Sequence, residues 1–408
     1  MKSTETKKIL VITEVFLPEE FLINDLVYFW KNQGRSVSVI TRNPSYPYGR
    51  IFPGYKNHLF QQENIDGVQV YRVQFIPGYN NNQMLKILNY FWNMFLGCVL
   101  ALKIGKKYDT IFIYQTGPLT FSSIGILIKI IYKKPAIIWS QDIWPETVYA
   151  YGIAKRGLFK IILERFVKWV YSNCDHITVT SPGFIKAVNR YCPLKDVRFI
   201  PQWSLTPKPG EITPSNLQVD YPGKFNFVFA GNIGKAQNLK NVILGFEQYI
   251  LEYPRNDVWL NIVGDGSNLK SLQHIVNTKS IQNIKFWGRL NISNMPVMFE
   301  RADVLVISLE NKQIFNITIP AKFQSYLNAE KPILGILSGE VKDLINLYNI
   351  GWTADPDDII AIKNQITNIV TNYNSEVDSI IKNTKLINNS HFNREKIINE
   401  FTEIVYGN

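Results

Sequence analysis

Residues 227–242 read FVFAGNIGKAQNLKNV, the most informative segment of the chain. Its hydrophobic run ends at Ala230, which predicts a buried strand followed by a GNIGK turn. A helix is expected from about Asn238. Glycines in such a turn let backbone N–H groups approach a phosphate, and the start of the helix adds partial positive charge. Lys235 and Lys240 would add full charges. The spacing is neither G-x-G-x-x-G nor that of a P-loop, which disfavours an ordinary dehydrogenase or kinase.

Three more predicted strands end downstream, in NIVGDG (261–266), KFWGR (285–289) and ADVLVIS (302–308). A helix is predicted to begin near Pro320 in TIPAKFQSYLNAEKPIL (318–334) and to run into another strand. The carboxyl ends of parallel strands meet at one edge of a sheet, so these segments are expected to lie together. This edge is predicted to hold a nucleotide diphosphate.

The 408 residues alternate between predicted strands and helices in both halves, which indicates doubly wound parallel sheets. A stretch rich in Pro and Gly, 206–223, reads as a linker. We therefore predict two Rossmann-like α/β domains, 1–205 and 206–387, followed by a C-terminal helical segment, 388–408.

The composition excludes several classes of protein. The three cysteines form no C-x-x-C pair and the four histidines are scattered, so neither a disulfide framework nor a metal site is expected. The N-terminus lacks the apolar core of a signal peptide, which favours a reducing, cytoplasmic location. The run Asp355-Pro356-Asp357-Asp358 suggests a metal-binding D-x-D motif, but it precedes an apolar periodic segment and is predicted to cap a helix.

The charge is divided unevenly. Residues 1–200 hold 25 Lys and Arg against 13 Asp and Glu, whereas residues 201–408 hold 19 against 20. The first half therefore faces an anionic partner, unless its charge is mere drift in composition. It also contains an apolar segment, 87–104, interrupted by Asn89, Asn93 and Lys103, which is a buried helix, a membrane-resting helix or, less favourably, a spanning one. A second segment, 155–171, places apolar residues on one helical face and basic residues, Lys155 among them, on the rest.

The order of these motifs resembles the GT-B glycosyltransferases, and most closely the retaining family 4. The first half agrees, with KILVITEVFLPEE (8–20), SQDIWPE (140–146) and IPQWS (200–204), the last two typical of enzymes of bacterial O-antigen, capsule and exopolysaccharide assembly. The resemblance implies two domains facing a central cleft, with a C-terminal helix, 388–408, that crosses back to the first domain. It implies that the first domain faces the acceptor and a membrane, and that the second binds a UDP-sugar donor, commonly an N-acetylated amino sugar. It also implies a polyprenyl-diphosphate-linked saccharide acceptor at the inner face of the cytoplasmic membrane, with no metal or other cofactor.

The resemblance also implies roles for single residues. Lys235 would stabilise the leaving diphosphate, and Asp142 and Glu146 would orient the acceptor hydroxyl or bind the sugar, unless they only cap and charge the start of a helix. The other donor-binding candidates are Gly231, Asn232, Gly234, Lys240, Gly264, Gly266, Gly288, Arg289, Pro320, Lys322 and Ser325.

The family's E-x7-E motif is not intact, since its two positions align with Ile317 and Ser325, and Glu310 lies too far upstream to substitute by spacing. This departure keeps open a catalytically inactive GT-B scaffold. A UDP-N-acetylglucosamine 2-epimerase of the same fold is a second alternative, disfavoured by the scarcity of histidine. A nucleic-acid-binding protein is disfavoured because no RNP, helix-turn-helix or zinc signature is present.

Overall fold

The computed structural model describes residues 7–150, 152, 156–206, 220–254 and 257–407. The chain divides into two compact units. Unit 1 comprises Met1–Pro201 and Glu395–Asn408, and unit 2 comprises Gln202–Arg394. The boundary thus falls at Pro201, a few residues before the predicted linker, most of which (207–219) lies outside the described residues.

Unit 1 is built on an eight-stranded sheet, counted over the described residues, in the order β3-β4-β2-β1-β5-β6-β7-β8. All neighbouring strands are parallel except the β3–β4 pair. The central strands β1, β5 and β6 each contain an unbroken apolar run that is buried on both faces, as a sheet covered by helices requires. The strands are Lys8–Thr13 (β1), Ser36–Arg42 (β2), Phe60–Ile65 (β3), Val68–Val73 (β4), Thr110–Gln115 (β5), Ala136–Ser140 (β6), His176–Val179 (β7) and Val197–Phe199 (β8).

The β3–β4 hairpin was not among the predicted strands. It turns at Asp66-Gly67, where both residues have positive φ, 47° and 85°. An Asp-Gly pair between alternating segments is a strong hairpin signal, so the sequence did contain the information.

Helices cover both faces of this sheet. Right-handed crossovers place α2, α3 and α5 on the face opposite α1. These helices are Leu22–Asn32 (α1), Gln83–Ile104 (α2), Ser123–Tyr132 (α3), Glu146–Ala150 (α4), Leu158–Asn173 (α5) and Pro182–Asn189 (α6).

Unit 2 has a six-stranded parallel sheet, again counted over what the structure describes, in the order β11-β10-β9-β12-β13-β14. Its strands are Phe225–Ala230 (β9), Val258–Val263 (β10), Ile284–Gly288 (β11), Val304–Ser308 (β12), Ile333–Ile336 (β13) and Gly351–Ala354 (β14). Its helices are Leu239–Glu252 (α7), Leu269–Thr278 (α8), Met295–Glu300 (α9), Gln313–Asn316 (α10), Ala321–Asn328 (α11), Glu340–Tyr348 (α12) and Ile359–His391 (α13). Aromatic and branched side chains of β9, β10 and α7 form the core with the inner face of α13.

Helix α13 begins as predicted from the Asp-rich run. The Asp358 carboxylate accepts hydrogen bonds from the backbone N–H groups of Ile360 (2.9 Å) and Ala361 (3.0 Å). The motif is therefore an N-cap, which satisfies N–H groups that have no partner within the helix.

The final helix, Arg394–Tyr406 (α14), packs in unit 1. The Phe401 ring lies 4.4 Å from that of Trp139 and 5.7 Å from that of Phe112, centroid to centroid. The indole of Trp30 donates to the Thr402 hydroxyl at 2.9 Å. The returning segment begins at Glu395 and not at residue 388, because α13 continues to His391 and only the non-helical residues Phe392 and Asn393 separate it from α14.

Candidate functional site

The sheet of unit 2 has a topological switch point between β9 and β12, since β10 and β11 follow on one side and β13 and β14 on the other. Ligands of doubly wound sheets bind at the carboxyl ends of the strands at such a point. Gly231 directly follows β9, and Ser308 ends β12. The Ser308 hydroxyl is buried there and has no hydrogen-bond partner among the described residues.

The loops after β9 and β10 are bonded to each other. The Ile233 N–H donates to the Asp265 carbonyl at 2.8 Å, and the Asn268 N–H donates to the Ile233 carbonyl at 2.9 Å. A Cβ on Gly264 would lie 1.8 Å from the Gly231 carbonyl oxygen, and one on Gly266 would lie 2.5 Å from that of Ile233. These glycines therefore allow two backbones to approach each other, a structural need that the sequence does not separate from phosphate binding.

The predicted helix start near Asn238 is shifted. Residues Lys235–Gln237 form a single 3-10 turn, Asn238 adopts a left-handed conformation with φ 48°, and α7 begins at Leu239. The side chains of Lys235 and Lys240 are exposed on either side of this kink. Gly234 lies beside the amide of Asn232.

Lys322 is the cation that the fold brings to the switch point. Its Nζ donates to Gln237 Oε1 at 2.7 Å and lies 3.8 Å from the centroid of the Phe229 ring. A Cβ on Gly231 would lie only 3.3 Å from it. No ion pair within the described residues involves Lys322. Burial lowers the pKa of this ammonium group to about 7, because the charged form is poorly solvated.

Helix α11 holds Lys322 in place. It begins directly after Pro320, and Ser325 lies one turn beyond Lys322. The hydroxyl of Tyr326, on the same helix, accepts a hydrogen bond from the Ala230 N–H at 2.9 Å and thereby fixes α11 to the end of β9. Sequence reasoning missed Tyr326, Gln237 and Phe229.

Glu310 also reaches the β9 loop, although its spacing argued against any role. Its backbone N–H donates to the Ala236 carbonyl at 2.9 Å, and its carboxylate lies 2.5 Å from Lys312 Nζ. Two other candidates, Gly288 and Arg289, lie at the end of β11, two strands away from β9. Gly288 has φ 70° and open space around its α-carbon.

Unit 1 has its own switch point between β1 and β5. Glu14 follows β1 and lines a narrow crevice together with Gln115, Gly117 and Ser122. Arg42, at the end of β2, lies 3.4 Å from the Glu14 carboxylate and 3.8 Å from that of Glu19. Burial raises the pKa of Glu14, and the Arg42 charge opposes that rise. Glu14 was not among the candidate site residues predicted from the sequence. Its position directly after a buried strand could have indicated it, because ligands bind at the carboxyl ends of such strands.

Asp142 and Glu146 are held by local contacts. One oxygen of Asp142 accepts from the Ile143 N–H at 3.0 Å and from the Thr147 hydroxyl at 2.5 Å. Both contacts are local, and neither donor is a backbone N–H group of α4, so they are not the N-cap expected as the alternative role of Asp142. Glu146 opens α4 and lies 3.5 Å from Arg190. Burial raises the pKa of both carboxyls. Within the described ranges, no three His, Cys, Asp or Glu side chains cluster as a metal site would require.

Comparison with known proteins finds a family model that matches most of unit 2. Residues 218–387 match the family model "Glycosyl transferases group 1". A relative named as a glycosyltransferase, WbjE of Pseudomonas aeruginosa, is 23% identical over 305 residues, 72% of this chain and 74% of its own. The protein is a glycosyltransferase with a group 1 domain. A second relative, WcaI of Escherichia coli K12, is named as a colanic acid biosynthesis glycosyl transferase. It is 22% identical to this glycosyltransferase over 315 residues, which cover 74% of this chain and 75% of its own.

Solved structures share the whole fold of this glycosyltransferase. A sucrose-phosphate synthase from Thermosynechococcus elongatus superposes with a TM-score of 0.71 at 15% identity, covering 98% of both chains. Anabaena HepE, in complex with UDP and glucose, gives 0.67 at 13% identity and covers 98% of this chain and 99% of its own. A trehalose-6-phosphate protein of E. coli bound with UDP-2-fluoro glucose gives 0.72 at 10% identity, with coverages of 98% and 99%. The predicted two-domain GT-B architecture is confirmed.

Proposed function

We propose that this glycosyltransferase moves a sugar, with retention of anomeric configuration, from a UDP-sugar to a polyprenyl-diphosphate-linked saccharide. The product would be an intermediate of a bacterial surface polysaccharide, and the donor an N-acetylated amino sugar. The naming of WcaI for colanic acid biosynthesis supports this setting. The UDP bound by HepE, which shares the fold, supports the choice of nucleotide.

The observation that carries the proposal is the placement of Lys322 at the switch point of unit 2, between Gln237 and Gly231. Its ammonium group has a neutral partner and an aromatic ring beside it, so a diphosphate would bring the missing negative charge. During transfer the bond between the anomeric carbon and the diphosphate oxygen breaks, and negative charge develops on that oxygen. A fixed cation at this position stabilises the charge as it forms.

In the E-x7-E motif of the resembled family the second glutamate binds the ribose, but Ser325 occupies that position here. The ribose therefore needs another partner. Glu310 is bonded through its backbone N–H to the β9 loop. We assign it to the ribose hydroxyls, which donate to a carboxylate in charge-assisted hydrogen bonds.

The acceptor belongs to the unit 1 edge in this proposal. Glu14 accepts a hydrogen bond from the acceptor hydroxyl and orients it, while Arg42 holds the carboxylate. The acceptor oxygen forms the new bond to the anomeric carbon, and its proton passes to the departing phosphate oxygen. Because the leaving group takes the proton, Glu14 need not act as a strong base.

The proposal is tested with purified protein, a panel of UDP-sugars and polyprenyl-diphosphate saccharides. Product mass and the anomeric proton coupling establish transfer and stereochemistry. K322M is expected to abolish transfer, whereas K382M, which changes an exposed lysine of α13, serves as the matched control. Interconversion of the UDP-sugar without an acceptor would favour the epimerase, and nucleotide binding without any turnover would favour an inactive scaffold. Either result would overturn the proposal.

A further inference from the structure

Up to Asn93, helix α2 has the reverse of the usual polarity, with two asparagines buried and apolar side chains exposed. Asn89 and Asn93 face the protein, where Asn89 Oδ1 accepts from the Ile76 N–H at 2.8 Å and Asn93 Nδ2 donates to the Gln74 carbonyl at 3.2 Å. The asparagines that interrupt the apolar segment in the sequence therefore fasten the helix to the chain after β4. They leave its apolar side facing outward.

The outward side of α2 is a continuous apolar stripe. Phe91 and Phe95 are 53% and 57% exposed. The spacing of the exposed residues keeps them on one face of the helix for about 27 Å, at 1.5 Å per residue. Water-exposed apolar patches of this extent mark an interaction surface on a soluble domain. The stripe consists of Met84, Ile87, Leu88, Phe91, Phe95 and Leu102.

Helices α3 and α5 extend this surface. Helix α3 packs closely against α2, since a Cβ on Gly97 would lie 2.1 Å from Ile124 Cδ1, and it also packs against α5. Val167 and Val170 of α5 are buried, whereas Trp169 is partly exposed. The apolar residues predicted to share one face of this helix are therefore divided between the core and the surface. The apolar face of unit 1 comprises the α2 stripe with Ile130, Ile131, Leu158, Phe159, Ile162 and Trp169.

Basic side chains border this apolar face. They follow the ends of α2 and α3 and occupy α5, while Lys155 lies outside the described residues. Lysine and arginine extend their charged ends toward headgroups while their stems cover apolar surface. The excess of 25 basic over 13 acidic residues in 1–200 suits an anionic surface and disfavours a second copy of the same positive face. The basic residues are Lys103, Lys106, Lys107, Lys133, Lys134, Arg156, Lys160, Arg165 and Lys168.

We propose that the apolar face of unit 1 inserts into one leaflet of an anionic bilayer, with α2 lying in the plane of the interface. The inference rests on the proposed function only in that a polyprenyl-linked acceptor lies in a membrane. It adds the surface, and it makes apolar insertion the main source of affinity, with charge in support. Residues 83–107 are long and apolar enough to cross a membrane, but crossing would break the hydrogen bonds of Asn89 and Asn93 and the packing against α3.

The test is flotation of the full chain with vesicles of phosphatidylglycerol and phosphatidylethanolamine. The double variant F91S/F95S is expected to lower the vesicle partition coefficient about tenfold or more, since burial of aromatic area drives insertion. L347S/L386S is the matched control, because these leucines of unit 2 are 74% and 69% exposed and lie outside the apolar face. The wild type is expected to keep part of its binding at high salt and to be released by alkaline carbonate.

Three results would overturn the inference. Binding that survives F91S/F95S but vanishes at high salt would make the contact purely electrostatic. Resistance to carbonate would indicate a spanning helix. Dimerisation without lipid that F91S/F95S abolishes, with no vesicle binding, would identify the occupant as a second copy. Transfer to a water-soluble, short-chain acceptor is measured in parallel, so a failure of membrane binding is distinguished from a failure of the proposed reaction.

Discussion

The pKa of Lys322 makes donor affinity depend on pH in a way that can be calculated. With a pKa of about 7 in the free protein, the ammonium form is about half populated at pH 7 and about 3% populated at pH 8.5. A diphosphate selects the ammonium form and raises its pKa by adding a neighbouring negative charge. The apparent Kd for a UDP-sugar is therefore expected to increase about fifteenfold between these two pH values.

The measurement is titration calorimetry with a UDP-sugar from pH 7 to 8.5. A UDP-sugar is preferable to UDP because its diphosphate has no further ionisation in this range. In buffers of different ionisation enthalpy, binding should take up protons. K322M should bind weakly at every pH without this slope, whereas K382M should behave as the wild type. A Kd for the wild type that is flat over the range, or a slope that persists in K322M, would refute the assignment of Lys322 to the diphosphate.

Four other predictions concern single side chains. E14Q should lower the rate of transfer about a hundredfold with little change in donor Kd, whereas E20Q, which changes an exposed glutamate nearby, should alter neither quantity. A loss of donor affinity in E14Q as large as the loss of rate would contradict an acceptor role. E310Q should weaken UDP binding about tenfold but leave binding of a 2′,3′-dideoxy nucleotide unchanged, and an equal loss for both nucleotides would exclude a ribose contact. G264A should lower the free energy of unfolding in urea by about 2–4 kcal/mol, because its Cβ would overlap the Gly231 carbonyl. G288A should cost only about 1–2 kcal/mol, because φ is 70° there but the space around the α-carbon is open, and similar costs for the two variants would count against the overlap. F401A should cost about 3–5 kcal/mol in the same assay, and a near-neutral result would show that α14 contributes little to the core of unit 1.

Local sequence patterns were sufficient to predict the alternating fold. The strand Lys8–Thr13 contains an unbroken apolar run, Ile9–Ile12, because both faces are covered. A glycine follows each of β9 and β10, where the two loops meet. These features depend on near neighbours in the chain. The cap at Asp358 belongs to the same class.

The candidate site depended on long-range contacts and was predicted less well. Lys322 was one of many predicted donor-binding residues. Its place beside Gly231 depends on a contact between distant parts of the sequence, the hydrogen bond from Ala230 to Tyr326 that fixes α11 to the end of β9. Glu310 was set aside by spacing, but adjacent strands bring it back to the β9 loop. The predicted role of Asp142 stays a prediction, and the structure adds that a hydroxyl of the following turn, that of Thr147, donates to its carboxylate.

The return of α14 to unit 1 has a consequence for synthesis of the chain on the ribosome. Domains usually complete their folding in order from the N-terminus as they emerge. Here the rings of Phe112 and Trp139 pack against Phe401, which is translated after every residue of unit 2. The hydrophobic core of unit 1 is therefore completed only then. The earlier-made unit therefore remains incomplete while the later one folds, and the rings that Phe401 covers stay open until the last residues of the chain are made.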